Sequence, residues 1–176
     1  MWNILTGKEK LPAIPPKLEL LRSLIGGTLS ILFLLKLSHF THNPWIMAPF
    51  GASCVILYAA AQSPLAQPRN VIFGHFISAF IGLCFLKFLP ISDLSIALAV
   101  GTAIVSMQIL KCVHPPAGAN PLVILLTADT VVYHWNFLIF PVLLGTITLV
   151  IIASVVNNLG SQQKWPLYGL ALKDNQ

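Results

Sequence analysis

Lys111 to Pro121 reads KCVHPPAGANP. A lysine, a histidine and three prolines interrupt sequence that is otherwise rich in leucine, isoleucine and valine. In a soluble loop such residues are ordinary. Between membrane helices they are expensive and need a reason. The reading of this stretch therefore depends on what surrounds it.

Hydrophobic residues make up 56% of the 176-residue chain and charged residues 9%, whereas a soluble domain carries roughly 25% charged residues. Mean hydropathy is +0.83. So few charges cannot cover a water-facing surface, and the composition predicts an integral membrane protein. The net charge of +5 does not point to nucleic acid. Lys8, Lys10, Lys17 and Arg22 precede the first apolar run, and Lys164 and Lys173 follow the last. That is the distribution membrane topology demands, because cytoplasmic flanks collect Lys and Arg. Cys54, Cys84 and Cys112 are far apart in apolar sequence and read as small buried hydrophobes. The first apolar run comes late and lacks a cleavage-site pattern, so it reads as a retained span.

A spanning helix needs about 20 mostly apolar residues. Charges and helix breakers divide the chain into six segments, about 18–40, 44–61, 71–89, 94–112, 117–128 and 137–157. The expected fold is an all-α, multi-pass transmembrane helical bundle. An N-terminal arm (1–17) precedes the transmembrane domain (18–157), and a C-terminal tail (158–176) carrying Trp165 and Tyr168 is expected to lie at the interface.

The second and fifth segments are short and open alike. Pro49-Phe50-Gly51-Ala52-Ser53 matches Pro116-Ala117-Gly118-Ala119-Asn120. Each is Pro-x-Gly-Ala, a small polar residue, then aliphatics. With flanking segments this suggests two halves, about 18–90 and 93–157. If all six segments cross, Arg69 and Lys111 join the basic N-terminal side, leaving Lys36 and Lys87 opposite. The positive-inside rule favours that count over four crossings with two re-entrant segments. Three crossings per half would make the halves an inverted 3+3 repeat, a transporter signature.

Proline suits a helix start, where the first N–H groups lack intrahelical partners. Pro49, Gly51, Ala52 and Ser53, with Pro116, Gly118, Ala119 and Asn120, are thus expected to present backbone donors and the positive helix dipole end, which suit an anion. The same small residues would also permit tight packing. Arg69, Asn70 and Lys111 are candidates for attracting an anion, and a cytoplasmic topology signal is the other reading of the two basic residues. His114 can donate to an anion, carry a proton or fix a loop. His75, with Ser78 as helical neighbour, suits a proton relay or a satisfied structural histidine. His39 and His42 lack the further ligands a metal requires. No phosphate loop, nucleophile elbow or carboxylate pair indicates an enzyme, so neither catalytic residue nor cofactor is expected.

Pro49 to Leu83, PFGASCVILYAAAQSPLAQPRNVIFGHFISAFIGL, and His114 to Leu125, HPPAGANPLVIL, resemble the HPP family of integral membrane proteins, named for the sequence of His114, Pro115 and Pro116. The resemblance covers about residues 20–157. Family members are usually described with four spans, and characterised members are implicated in nitrite transport. The resemblance therefore implies a transporter or channel for nitrite or a similar small inorganic anion, in a membrane expected to be a bacterial inner membrane. Asn120-Pro121 departs from the small or aliphatic residues common at that point. A scaffold or sensor with a structural HPP turn, and a channel for another solute, are the alternatives. Glycine faces at Gly26-Gly27, Gly74, Gly82, Gly101 and Gly145 leave room for a homo-oligomer and for close contact with lipid or helix.

Overall fold

The computed structural model describes residues 13–42, 45–161 and 164–170. Among them are six α-helices and no strand: α1 (Lys17–Thr41), α2 (Ala48–Ala59), α3 (Pro68–Phe88), α4 (Asp93–Ile109), α5 (Asn120–Leu126) and α6 (Leu144–Val156). The all-helical expectation is met. By length and composition, Lys17–Thr41, Pro68–Phe88 and Trp135–Val156 can cross a membrane, whereas Ala48–Ala59, Asp93–Ile109 and Pro115–Leu126 are shorter apolar helices. The expected opening of the second segment at Pro44 and most of the N-terminal arm lie outside the described residues.

Two segments are less regular than expected. The fifth starts as a 3₁₀ helix, Pro115–Ala119, before α5. The sixth starts as a 3₁₀ turn at Trp135–Leu138 and a π-type turn at Ile139–Leu143, with Phe140 extended at φ −119° and ψ 119°. Pro141 explains the second break, since it lacks an N–H and its ring crowds the preceding turn. α4 has a firm start, because Ser92 and Ser95 exchange side-chain and backbone bonds in a capping box.

Chain direction alternates through all six segments. Arg22, at the start of α1, donates to the Leu159 carbonyl beyond the end of α6. Asn157 reaches the Leu57 carbonyl in the last turns of α2, and Arg69, at the start of α3, reaches the Leu110 carbonyl at the end of α4. At the opposite end, Lys87 donates to the Tyr133 carbonyl. Arg22, Arg69 and Lys111 thus share one end, and Lys36 and Lys87 mark the other, the grouping expected from six segments.

Three helices pack through ridges of residues spaced by four. On α1 the buried ridge is Arg22, Gly26, Ser30 and Leu34, and on α4 it is Ser95, Ala99, Ala103 and Met107. Both leave large apolar side chains outward, Leu24 and Phe33 on one and Leu98 and Val105 on the other. That suits helices facing lipid. The third ridge lies on α3, the most enclosed of the long helices, and consists of Asn70, Gly74, Ser78 and Gly82, all buried. It runs along the chain from Cys112 to Ile124. A Cβ at Gly74 would lie 2.9 Å from the Cys112 carbonyl oxygen and 2.9 Å from the His114 Cβ, and one at Gly82 would lie 3.0 Å from the Pro121 Cα. Gly26 and Gly145 serve similar approaches to the Tyr58 and Phe50 rings, whereas Gly27 and Gly101 face open space.

Two outcomes are expected. Gly74→Ala should destabilise the protein by about 1–3 kcal/mol through overpacking, while Gly101→Ala should be neutral or slightly stabilising. Thermal unfolding in detergent compares them. In a background without the native cysteines, Lys111→Cys and Lys36→Cys should react with an impermeant thiol reagent from opposite sides of sealed vesicles. Labelling of both from one side would remove the alternating arrangement.

Candidate functional site

The HPP stretch is shaped locally before it meets the rest of the molecule. α4 ends in a Schellman turn. Cys112 N–H bonds to the Met107 carbonyl at 2.9 Å, and Lys111 N–H bonds to the Gln108 carbonyl at 3.1 Å. Lys111 takes the left-handed position at φ 52°, where glycine would be easier. His114 is extended at φ −134° and ψ 103°, as a residue before proline prefers. Pro115 and Pro116 then open the 3₁₀ turn at no cost in donors.

This turn delivers His114 to a polar cluster that is sealed from solvent. Ser53, His75, His114 and Asn120 are each 0% exposed. Ser53 Oγ lies 2.8 Å from His75 Nε2 and 2.9 Å from His114 Nε2. His114 Nδ1 lies 2.8 Å from the Leu65 carbonyl oxygen. Asn120 Nδ2 lies 3.1 Å from His75 Nδ1 and donates to the His75 carbonyl at 3.0 Å. The two rings have centroids 5.1 Å apart, and Phe50 meets His75 edge-on at 5.3 Å.

The partners fix the protons. A carbonyl only accepts, so His114 Nδ1 carries hydrogen and its Nε2, when the ring is neutral, accepts from the Ser53 hydroxyl. That hydroxyl has one hydrogen, so His75 Nε2 must donate to Ser53 Oγ. His75 Nδ1 is then free to accept from Asn120 Nδ2. The result is a directed chain, Asn120 to His75 to Ser53 to His114 to the Leu65 carbonyl, with every ring nitrogen satisfied. Ser53 Oγ also lies 3.2 Å from the Pro49 carbonyl oxygen, an alternative acceptor for its hydrogen.

The third ridge holds this chain in place. Asn70 Nδ2 donates to the Val113 carbonyl at 2.7 Å, and Ser78 Oγ to the Ala117 carbonyl at 2.5 Å. Residues on both sides of His114 are thereby tied to α3. Arg69 reaches the Lys111 carbonyl at 3.3 Å, the Leu110 carbonyl at 3.0 Å and the Leu170 carbonyl at 2.7 Å. It closes the end of α4, where carbonyls lack helical partners.

The C-terminal segment lies over the same place. Leu167 N–H donates to Gln67 Oε1 at 2.7 Å, and the Tyr168 hydroxyl lies 2.7 Å from Asn70 Oδ1 and 2.8 Å from the Pro64 carbonyl oxygen. Partial burial pushes the Tyr168 hydroxyl up from its ordinary pKa, and the Arg69 charge draws it back in part. Trp165 is buried rather than surface-lying, because Asn158 bonds both its backbone N–H and its carbonyl.

The structure therefore unites Ser53, His75, His114 and Asn120, with Pro49 beside them and Asn70 one step away. Pro116 is buried, but Pro115 and Lys111 are exposed, as are Gly51 and Ala52, and Gly118 and Ala119 are half-buried. At the heads themselves, Phe50 N–H is paired with the Met47 carbonyl and Ala117 N–H with the His114 carbonyl. The side chains at the fifth position of each repeated motif, Ser53 and Asn120, bond to opposite nitrogens of His75. Leu65, Gln67 and Tyr168 are residues that the sequence does not single out for the site, although SPLAQPRN contains two of them, and Ser78 enters there only as a helical neighbour of His75. Among the described residues, no group of three or more His, Cys, Asp or Glu is placed to hold a metal.

Removing the Ser53 hydroxyl would leave both Nε2 atoms unpaired in an apolar interior, at about 1–3 kcal/mol for an unsatisfied group. Ser53→Ala should lower the thermal midpoint in detergent clearly more than Ser53→Thr, which keeps the hydroxyl. An alanine variant as stable as the parent would show that the hydroxyl does not hold the cluster.

The sequence model of a family described as HPP, transmembrane region, matches residues 12–166. Two curated proteins of Dictyostelium discoideum, each described as a transmembrane protein, are similar to the chain. One is 34% identical over 172 residues, covering 93% of this chain and 60% of the relative. The other is 33% identical over 171 residues, covering 92% of this chain and 55% of the relative. The chain thus spans less than two thirds of the length of either, and neither supports the expected bacterial inner membrane. No solved structure matches.

Proposed function

The chain belongs to the HPP transmembrane family, and from that premise we propose that it carries a small monovalent anion, nitrite in the first instance, across a membrane. The observation that carries this reading is the convergence of two short, Pro-headed helices on one buried imidazole. Ser53 from α2 and Asn120 from α5 bond to the two nitrogens of His75. Ionisable groups deep in a membrane protein usually mark a solute or proton path. Desolvating an anion is costly unless aligned donors replace its water. Two imidazoles, a hydroxyl and an amide are such donors once they are freed from one another.

The packing also supports a two-part molecule. α1 packs on α2 and α6, and α4 packs on α5 and α3. Each half thus offers a ridge-bearing outer helix, a short polar-headed helix and an inner helix, as an inverted 3+3 repeat would. The end bearing Arg22, Arg69 and Lys111 faces the cytoplasm in this reading. The outward glycines Gly27 and Gly101 are where a second copy would pack in a homo-oligomer.

One observation favours a second reading, a non-transporting scaffold or sensor. Both ring nitrogens of His114 are already engaged by protein groups, as a structural histidine requires. Proteoliposomes separate the two. The transport reading expects nitrite entry well above empty vesicles and its reduction by tenfold or more in His114→Gln, a change of about 1.4 kcal/mol or more in barrier, with Gly51→Ala unchanged. Folded protein without flux would support the scaffold instead.

A further inference from the structure

The joined pair of imidazoles has a property that neither ring has alone. Each of its protonation states finds partners without rearrangement of the backbone. In the neutral pair His75 Nδ1 accepts from Asn120 Nδ2, at 3.1 Å. Asn120 Oδ1 lies 3.3 Å from the same nitrogen. A proton arriving at His75 Nδ1 therefore finds an acceptor after a small turn of the amide. His75 then passes its Nε2 hydrogen to Ser53 Oγ, and Ser53 passes its own hydrogen to His114 Nε2. Alternatively, with the extra proton on His114, the Ser53 hydroxyl turns to the Pro49 carbonyl, 3.2 Å away. Its oxygen then accepts from both rings. One proton enters, one resides on either ring and one leaves by the reverse path, so no hydrogen is created or lost.

The pair has room for one such proton at most, because two imidazolium rings 5.1 Å apart would repel in an interior where charge is poorly screened. Among the described residues, its surroundings provide no fixed counter-charge. The groups that bond to the rings are Ser53 on α2, Asn120 on α5 and the Leu65 carbonyl. Arg69, on the same helix as His75, is turned to the Leu110, Lys111 and Leu170 carbonyls. Lys111 is exposed and Cys112 is buried just before the turn. Only Glu19, Asp93 and Asp129 among the described residues are acidic; Glu19 pairs with Arg22, and the other two are exposed at helix and turn ends. A lone buried positive charge is costly, and so is a lone buried anion; side by side, their attraction offsets part of the desolvation cost of both.

We propose that the His75–Ser53–His114 pair binds one proton together with each anion, so that the protein carries them as an electroneutral one-to-one pair. This rests on the anion-transport reading and adds its coupling ion. The two binding events are linked, since each charge lowers the cost of burying the other. The proton site is thus a consequence of the same buried hydroxyl that joins the two rings, and the solute travels with no net charge.

The test uses the purified full chain in proteoliposomes loaded with a pH dye, with potassium and valinomycin setting the membrane potential. Entry of nitrous acid through lipid is subtracted with empty vesicles. The expected result is one proton per nitrite, accumulation that follows an imposed pH gradient, and no response to potential. A potential of about 100 mV would alter the accumulation of a singly charged solute by roughly 50-fold, so the difference is readily read. His75→Gln and His114→Gln, which preserve hydrogen bonding but do not titrate, should each lose accumulation driven by the pH gradient, in samples shown to be folded. Nitrite flux that follows the potential and ignores the pH gradient overturns the coupling and leaves the transport reading standing. No flux above empty vesicles with folded protein overturns both.

Discussion

His75 has two ring nitrogens, and each is committed to a different short helix. Its Nε2 meets Ser53 of α2, and its Nδ1 meets Asn120 of α5. In an apolar interior an unpaired polar group is expensive. The imidazole therefore fixes how far α2 and α5 stand from α3 and how they are rotated. The rest of the arrangement makes this three-way contact possible. Gly74 and Gly82 let the HPP segment approach α3 to backbone distance. Asn70 and Ser78, one turn before and one turn after Gly74, pin that segment above and below His114. A single face of one helix, read every fourth residue, aligns the second head for its entire length.

Much of this was visible in the sequence, though not the way it fits together. The matched pentapeptides named Ser53 and Asn120 as equivalent positions, and the lone intramembrane His75 stood out beside them. The helical bundle followed from composition. Hydrophobic periodicity was silent on which faces meet, because lipid and protein core are equally apolar and the middles of the buried ridges are small residues. The shift from backbone donors to side chains as the meeting groups was equally hidden. It depends on the orientation of two short helices, which no local pattern encodes. Arg69 illustrates a related limit. Its spacing fitted either an anion site or a cytoplasmic topology signal, and only the fold shows that its guanidinium serves two carbonyls at the end of α4 and a third at Leu170.

The two heads share a plan but not a role. Met47 and His114 are corresponding N-cap residues, and both are buried. Met47 joins the main apolar cluster, so the N-cap of the first head is held by packing, and its side-chain bonds come four residues into the helix motif, from Ser53. His114 is anchored by hydrogen bonds, after a left-handed Lys111 and ahead of two prolines that prevent an ordinary helical start. The first head leads into twelve residues of regular α-helix, the second into a 3₁₀ turn and only seven. The N-cap position is thus held by packing in the first head and by directional bonding in the second.

The segment from Lys164 to Leu170 touches Gln67, Arg69 and Asn70 in succession, and Asn70 in turn holds the carbonyl next to His114. Mechanically this is a short lever. A displacement of Tyr168 is passed to the carbonyl beside His114 through one further side chain, that of Asn70, with no helix having to bend. The segment from Lys164 to Leu170 is thus coupled to the buried HPP turn.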